Sequence, residues 1–400
     1  MADSAGKTSD RQILVIGIGR GGIRIADEVR RTYAFPGLVV VAADTDRAAL
    51  DEARADRTLL IGEPWARGEG CGGDIDVAER AANASADECR ALLKDARMVF
   101  VAAGLGGGIG SAMPRVLARL ARESAVPVVF MTTTPFSFEG AKRARTAELA
   151  LSLLRTESEA VIAVPNSLLF AHLPPDTASS RAFDLASAQL GRALAGLAHI
   201  CCAKGLLTAD LAGVKRIVRR PGCACSLAMG QGQGATAAED AIQEFLASPF
   251  IGDTSHLETV DAALLTLLGG EDLTIGAVQQ CLERVQSHFP RNAQILVGAY
   301  TDPRLQGHVQ LTGLLVSDER RRADRQPDLI PADAHDAAAR PSRRRPRRDS
   351  TAPAQDLLPF PEQQLGIFAG APQPTFLNGE NLDIPTFQRR NIPVDRGEAL

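Results

Sequence analysis

The chain has 400 residues with 44 basic and 48 acidic side chains, giving a formal net charge of −4, and this length allows two or three structural units. No uninterrupted apolar run of about 18 residues occurs, which excludes a membrane-spanning helix. Residues 1–12 are polar, and the seven cysteines are scattered and odd in number. We therefore expect a cytoplasmic protein without a signal peptide or a disulfide framework.

Strand-like and helix-like segments alternate over the first part of the chain. Short apolar runs typical of buried strands occupy residues 12–16, 38–43, 98–103, 126–131 and 160–164. Helical patterns follow the first and the third of these runs. This order predicts an α/β fold with a doubly wound, Rossmann-type parallel sheet, whose ligand binds at the carboxyl ends of the strands.

A long helical pattern and a second set of strands come next. Residues 182–202 keep a helical period over about 30 Å, which is enough to run the length of a small domain. Strand-like runs at 223–228, 295–299 and 309–316 then surround two further helical patterns. We interpret this part as a second α/β unit, in which antiparallel pairing is expected.

The composition changes near residue 317. Residues 318–400 carry 13 basic and 13 acidic side chains and 11 of the 23 prolines, and residues 340–348 hold six arginines without one acid. Such a segment cannot bury enough apolar surface to fold, so we expect a disordered linker. The arginine run is interpreted as solvated, with acidic lipid, nucleic acid or the acidic core as alternative contacts. It has no interleaved aromatic residue, which argues against sequence-specific nucleic-acid binding.

Two glycine-rich loops each follow a strand and open a helix. The first, at residues 17–22, has Asp44 22 residues beyond it, a spacing that by itself favours an NAD site. The second lies at residues 104–111, and a third glycine-rich loop at residues 67–74 adds further backbone amides. Three such loops suit a polyphosphate tail better than the pyrophosphate of NAD. The lysine signature of a P-loop NTPase is absent.

The second loop, Gly-Leu-Gly-Gly-Gly-Ile-Gly-Ser, resembles the signature loop of tubulin-type GTPases, and the chain resembles the FtsZ family of bacterial tubulin-like division proteins. The resemblance covers residues 12–317 and 381–390. Its further matching segments are residues 15–22, 44–46, 67–73, 134–143, 164–166, 301–303 and 382–390.

This resemblance implies a tubulin/FtsZ-like fold in five parts. They are a Rossmann-like GTP-binding domain, a long central helix, a C-terminal α/β domain, a disordered linker and a partner-binding peptide, over residues 11–176, 177–203, 204–317, 318–378 and 379–400 respectively.

The resemblance also implies a GTP site, with Mg²⁺ held by the phosphates rather than by a protein metal site. Glu139 would hold the ribose with Arg143 near the phosphates, because such groups occupy those places in the family. Asn166 would hydrogen-bond guanine, since its amide both donates and accepts, and Phe183 would stack on the base. The residues expected to bind the nucleotide are Gly21, Gly22, Arg24, Gly106, Gly107, Gly108, Gly110, Ser111, Glu139, Arg143, Asn166, Phe183 and Ser187.

Asp210 is the expected catalytic residue. It lies in a segment, residues 205–213, that resembles the loop which this family inserts into the neighbouring subunit's site, where a carboxylate would orient the attacking water. The family pattern there is Asn-x-Asp-x-x-Asp, but Thr208 and Gly213 stand at its first and last positions. Losing a positioned acid–base group typically lowers the rate by about 10²–10⁴. We therefore expect hydrolysis to be attenuated more than binding.

Three further departures from the family pattern lie near the expected nucleotide. Ile23 and Arg24 stand where Gly-Asn is usual, Ile109 replaces a threonine, and residues 187–188 replace an Asn-Asp pair near the base. Ile23 is expected to add bulk beside the phosphates and Arg24 to contribute charge. Guanine selectivity would then rest mainly on Asn166.

Three functions stay open at this stage. The first is a GTP-dependent division protein that forms a head-to-tail homopolymer and hydrolyses GTP at the subunit interface. The second is a divergent paralogue that binds GTP and polymerises as a scaffold with little turnover, and the third is an NAD-dependent enzyme.

The C-terminal peptide is the expected contact with a second partner. It would fit a groove on a membrane-tethering division protein, which would recruit the filament to the inner face of the membrane at the division site. The residues expected to make this contact are Leu382, Ile384, Pro385, Phe387, Arg389 and Arg390.

Overall fold

The computed structural model describes residues 12–32, 35, 37–158, 160–170, 174, 176–202, 205–220, 223–251, 254–318, 376–377 and 380–381. The chain forms two compact units, Met1–Ala332 and Asp333–Leu400. The arginine run at 340–348 and the six expected partner-binding residues at 382–390 lie outside the described residues.

In chain order, the helices are α1 (Gly19–Thr32), α2 (Arg47–Asp51), α3 (Glu63–Ala66), α4 (Ile75–Ala84), α5 (Ala86–Lys94), α6 (Ile109–Glu123), α7 (Ala141–Glu157), α8 (Asn166–Phe170), α9 (Ser179–Cys202), α10 (Leu211–Val218), α11 (Ala237–Leu246) and α12 (Ile275–Gln286). The strands of the first unit are β1 (Gln12–Ile18), β2 (Leu38–Asp44), β3 (Arg57–Leu60), β4 (Ala96–Gly104), β5 (Val128–Thr134), β6 (Val161–Pro165), β7 (Cys223–Gln233), β8 (Val260–Gly269), β9 (Gln294–Thr301) and β10 (His308–Asp318).

These strands form one sheet in the order β3-β2-β1-β4-β5-β6-β7-β10-β8-β9. The half from β3 to β6 is parallel throughout, which confirms the Rossmann-type prediction. In the second half β10 runs antiparallel to both β7 and β8, as expected for the second α/β unit. The two halves meet where β6 pairs with β7, at Ile162 and Cys225.

The parallel half is buried on both faces because its strands are almost wholly apolar. Successive residues of β1 point to opposite sides, so Ile13 and Val15 enter one core and Leu14 and Ile16 enter the other. Helices α1, α9 and α10 contribute to the first core, and α4, α5 and α6 contribute to the second. Glycine loops at the strand ends are therefore held between two packed layers.

Helix α9 confirms the predicted long helix and begins three residues earlier than the periodic pattern. Its buried residues Leu190 and Leu194 join the core that also contains Ile25 of α1 and Leu264 of β8. The helix thus packs against both halves of the sheet. In the part of the chain that the structure describes, no helix is long and apolar enough to cross a membrane.

The second unit is described at one short antiparallel pair, β11 (Phe376–Leu377) with β12 (Glu380–Asn381). This pair spans the predicted boundary between the linker and the terminal peptide.

Candidate functional site

The two glycine loops lie side by side at the carboxyl edge of the sheet, because β1 and β4 are neighbouring strands. A Cβ added to Gly22 would lie 2.1 Å from the Ala102 carbonyl oxygen, and one added to Gly110 would lie 2.2 Å from the Gly104 carbonyl oxygen. Helices α1 and α6 can approach their strands this closely only with glycine at these positions. The sequence thereby brings the N-terminal ends of both helices to one place.

Several backbone amides lie where the N-termini of α1 and α6 meet and donate no hydrogen bond to another described residue. Within the described chain, the N–H groups of Gly107, Gly108 and Gly110 donate to no acceptor. The first-turn amides of α1, which include that of Gly21, have no intrahelical acceptor. Helix N-termini with open amides carry partial positive charge and bind anions.

Two of the predicted ligands in the second loop are engaged with each other. The Gly106 N–H donates to the Ser111 Oγ at 2.9 Å, and Ser111 is buried. This hydrogen bond braces the loop from inside. The structure therefore gives Ser111 a supporting position behind the amides of Gly107 and Gly108.

The third loop packs against the second. A Cβ added to Gly108 would lie 2.9 Å from the Cys71 Cβ, and the Cys71 thiol donates to the Thr45 Oγ1 at 3.4 Å. The Gly70 N–H donates to the Thr45 carbonyl oxygen. All three glycine-rich loops thus border the same edge of the sheet, as predicted.

Asp44 does not offer a carboxylate to a ligand. Its side chain is buried, and its Oδ1 accepts from the amides of Thr45 at 2.7 Å and Asp46 at 3.2 Å. Burial raises the pKa of this carboxyl. An NAD site needs an acid here that reaches the ribose, so the position of Asp44 counts against the NAD interpretation.

A cavity of about 220 Å³ continues from the first glycine loop towards α8 and α9. It brings together five of the predicted nucleotide-binding residues from three helices. Its lining residues are Arg20, Gly21, Arg24, Ile25, Thr133, Asn166, Leu169, Phe170, Phe183, Ala186, Ser187 and Leu190.

Asn166 is placed to bind a polar ligand in this cavity. It is the first residue of α8, directly after β6, and its side chain is half-buried. Within the described chain its amide group makes no hydrogen bond. A half-buried amide without a partner is satisfied by water or by a ligand.

A cluster of aromatic rings lies at the cavity, and two of its members, Phe170 and Phe183, line it. Phe183 of α9 is 38% exposed and meets Phe170 and Phe136 edge-on, with ring centroids 5.3 and 6.0 Å apart. Phe138 stacks on Phe136 at 4.8 Å. The sequence predicted Phe183 but missed Phe136 and Phe170, whose clustering depends on how the β5–α7 connection meets α8.

Glu139 and Arg143 lie on the β5–α7 connection and at the start of α7, outside the cavity lining. The Glu139 carboxylate accepts from the Phe136 amide at 2.9 Å and from the Arg143 guanidinium at 2.6 Å. The Arg143 carbonyl oxygen lies 2.9 Å from the place of a Cβ on Gly106. The pair therefore borders the second glycine loop.

Asp210 lies elsewhere in the chain. It caps the N-terminus of α10, where its Oδ1 accepts from the Gly213 N–H. The preceding Leu207 exchanges two backbone hydrogen bonds with Ala299 of β9. Asp210 does not line the cavity of its own chain.

The expectation for Ile23 is wrong. Its side chain is 4% exposed and packs against Ala42 and Leu50 in the core, because it lies on the buried face of α1. It therefore adds no bulk beside the phosphates. Ile109 is buried as well, in the core that α6 shares with β1.

Arg20 was missed by the sequence reasoning. It lines the cavity and pairs with Asp46, with the Arg20 Nη2 2.7 Å from the Asp46 Oδ2. The signal that could have identified Arg20 is the presence of an arginine inside a glycine-rich loop.

Comparison with known families agrees with this geometry. Residues 12–174 match the GTPase domain of the Tubulin/FtsZ family, and residues 222–317 match the C-terminal domain of the FtsZ family. The fold and the site together define a tubulin-like GTPase.

Comparison with known proteins of similar sequence and structure shows to which family of this class the chain belongs. The chain is 34% identical over 297 residues to "Cell division protein FtsZ 1" of Archaeoglobus fulgidus, covering 74% of this chain and 78% of that one. It is 31% identical over 316 residues to "Cell division protein FtsZ" of Bartonella bacilliformis, covering 78% of this chain and 52% of the relative. A solved FtsZ dimer from M. jannaschii superposes with a TM-score of 0.73 at 29% identity, covering 79% of this chain and 90% of that one. The chain belongs to the FtsZ family of tubulin-like, GTP-binding cell-division proteins.

Proposed function

We propose that the chain binds GTP at the carboxyl edge of its sheet, assembles head to tail into filaments of the division machinery, and hydrolyses GTP where two subunits meet. The observation that carries the proposal is the convergence of acceptor-free loop amides and the unpartnered Asn166 amide within a tubulin-type GTPase domain. Together, the loop amides and the Asn166 amide suit a ligand that presents phosphate oxygens at one end and a base edge at the other.

The phosphates would bind where the two helix N-termini meet. The amides of Gly107 and Gly108 and the first-turn amide of Gly21 are suited to phosphate oxygens. Mg²⁺ bound with the phosphates would neutralise their charge.

The ribose would lie beside Glu139, and the base would occupy the cavity between α1, α8 and α9. Asn166 offers a donor and an acceptor to guanine, and Ser187 adds a hydroxyl group. Phe183, partly exposed at the cavity, supplies an aromatic face for stacking. Glu139 is already held by two hydrogen bonds, so its carboxylate would be oriented before the ribose arrives.

Hydrolysis would require Asp210 of one subunit to enter the nucleotide site of the next. Asp210 is exposed at the start of α10, away from the cavity of its own chain, which suits a residue that acts across a head-to-tail interface. A positioned carboxylate there would orient the water that attacks the γ-phosphate.

A scaffold with little turnover is the second candidate, and one observation favours it. Gly213 supplies the amide to which Asp210 is bound, so the acid acts as a helix cap and the second acid of the family pattern is absent. Binding and assembly do not depend on that acid, whereas water activation does.

The C-terminal peptide would dock on a membrane-tethering division protein and recruit the filament to the inner face of the membrane. Leu382, Ile384, Pro385 and Phe387 supply the apolar contacts, and two arginines follow. A short apolar segment of this kind gains affinity from a groove on its partner.

The nucleotide site is tested by GTP binding to the wild type and to Asn166→Ala. We expect the variant to lose about 10- to 100-fold in affinity because it removes the hydrogen bonds to the base, while Asn83→Ala, on α4, leaves affinity unchanged. Equal GTP binding by Asn166→Ala and the wild type would contradict the placement of the base.

A further inference from the structure

Arg20 is the one side chain of the first glycine loop that carries a charge. It is the second residue of α1 and directly precedes Gly21 and Gly22. Its side chain is 61% exposed and lines the cavity that also contains Asn166. A long, exposed cation thus stands next to amides that suit phosphate oxygens.

Asp46, the ion-pair partner of Arg20, is held in place by a hydrogen bond that does not involve Arg20. Asp46 is the N-cap of α2, where its Oδ1 accepts from the Ala48 amide at 3.0 Å. The other oxygen, Oδ2, pairs with Arg20 at 2.7 Å. This pairing is also the largest cause that lowers the pKa of the Asp46 carboxyl. The carboxylate is therefore fixed by the helix, and the guanidinium is the group that is free to move.

An exposed ion pair of this kind contributes little to stability. A guanidinium presents a planar fork of donors that matches phosphate oxygens and forms strong charge-assisted hydrogen bonds with them. A di- or triphosphate also carries more negative charge than one carboxylate. Exchange of Asp46 for a phosphate is therefore favourable for Arg20.

Arg24 lies one turn further along the same helix face. It borders the same cavity and also a neighbouring one, together with Ser187 and Asp184. The neighbouring cavity is lined in part by α9, and Arg20 does not border it, so the two arginines occupy different positions.

We propose that Arg20 is a ligand of the nucleotide phosphates and that Asp46 holds it beside the site until the nucleotide binds. This inference rests on the proposed function, because it assigns Arg20 a role in the same nucleotide site. It implies that Asp46 competes with the nucleotide for the guanidinium. Arg20 and Asp46 must then affect nucleotide affinity in opposite directions.

The test measures dissociation constants for GTP and for GDP with the wild-type full chain and three variants. Arg20→Ala is expected to weaken binding about 10- to 100-fold, since a charge-assisted hydrogen bond is lost. Asp46→Asn is expected to tighten binding about 2- to 5-fold, because an exposed ion pair that opposed it is removed. Asparagine caps a helix as well as aspartate, so α2 keeps its N-terminus. In the double variant the Asp46→Asn change should have no effect.

A matched ion pair on the same helix serves as the control. Arg30 lies 2.8 Å from Asp56 with similar exposure and does not line the cavity. Arg30→Ala and Asp56→Asn should leave both dissociation constants unchanged, which separates an effect at the site from a general loss of surface charge.

The outcomes are distinguishable. If Arg20→Ala and Asp46→Asn both weaken binding, the pair is only a structural brace and the inference is overturned. Unchanged affinity of Arg20→Ala overturns it as well, while the GTP site of the proposed function stands. A wild type that binds neither GTP nor GDP would overturn the proposed function itself.

Discussion

Gly22 and Gly107 belong to the two loops at the proposed nucleotide site but have opposite surroundings. A Cβ on Gly22 would meet the Ala102 carbonyl oxygen at 2.1 Å, whereas a Cβ on Gly107 would have no atom within 4 Å. Close packing therefore requires glycine at the first position only.

Alanine at these two positions should have different effects on the stability of the fold. Gly22→Ala is expected to destabilise the fold by about 1–3 kcal/mol, as overpacking does. Gly107→Ala should leave the melting temperature unchanged, since its methyl group points into open space. Thermal unfolding of both variants measures this, and a Gly107→Ala chain that melts as early as Gly22→Ala would show that the loop packing is wrongly described.

Ser187 and Ala188 stand where the family pattern has an Asn-Asp pair, and no carboxylate lines the described cavity. Guanine has a 2-amino donor that inosine lacks, and a carboxylate is its natural acceptor. We therefore expect the wild type to prefer GTP over ITP by less than about tenfold, since no charged hydrogen bond is at stake.

Ser187→Asp should raise the preference for GTP over ITP, and Ser187→Asn should raise it less because the amide is neutral. Competition between GTP and ITP for binding measures both. A wild type that already rejects ITP strongly would contradict this account of the base end.

The sequence predicted the parts of the candidate site that a backbone motif defines. It was less successful where the direction of a side chain determines whether the residue faces the cavity. The two glycine loops follow directly from strand-loop-helix spacing, and the expectation for Asn166 follows from the resemblance of residues 164–166 to the family. Ile23 was wrongly placed beside the phosphates, although its spacing to Ala26 and Val29 marks the buried face of α1. Arg20 was missed, because a motif match does not report which side chains line a cavity.

At the scale of elements, one residue at the N-terminus of α10 has two roles, because the expected catalytic residue Asp210 is also the N-cap of this helix. Asp210 caps the helix through the Gly213 amide, and a Cβ on Gly213 would lie 2.5 Å from the Asp210 Oδ1 and 2.8 Å from the Leu296 Cδ1. Any side chain at Gly213 must therefore displace the cap.

Gly213→Ala and Gly213→Asp form a matched pair for this helix end. Both should destabilise the chain by about 0.5–2 kcal/mol through loss of the cap. Only Gly213→Asp restores the acid, so only it should raise GTP turnover per assembled subunit, by about tenfold or more. Equal turnover in both variants would contradict the proposed attenuation by Gly213.

Elements with clear apolar runs were predicted well, and β8 shows where such reasoning fails. Its sequence over Val260–Gly269 is rich in leucine and alanine, residues that are not typical of strands. It is nevertheless an interior strand, next to the edge strand β9 and paired with both β9 and β10, and it is almost fully buried. Only the neighbouring strands decide that this segment is extended.

At the scale of the whole molecule, the core and the C-terminal segment are expected to have separate functions. The change in composition near residue 317 agrees with the last residue of β10, Asp318. The proposed nucleotide site and the proposed interface residue Asp210 both lie before it.

Deletion of residues 379–400 should therefore leave GTP-dependent assembly unchanged and abolish recruitment to the membrane. Sedimentation of filaments measures the first, and the position of the labelled protein in dividing cells measures the second. A truncated chain that still collects at the division site would contradict the docking role of the peptide.

The central claim is that the GTPase site is completed between subunits, and complementation between two variants tests it most directly. Asp210→Ala keeps the nucleotide pocket, and Asn166→Ala keeps the acid. When the two are mixed in equal amounts, about one interface in four combines an intact pocket with an intact acid, because a head-to-tail interface joins different surfaces of its two subunits. At a GTP concentration that saturates the wild type but not Asn166→Ala, turnover should be low for each variant alone and return in the mixture to about that fraction of the wild-type rate. A mixture as inactive as its components, beside an active wild type, would contradict the claim.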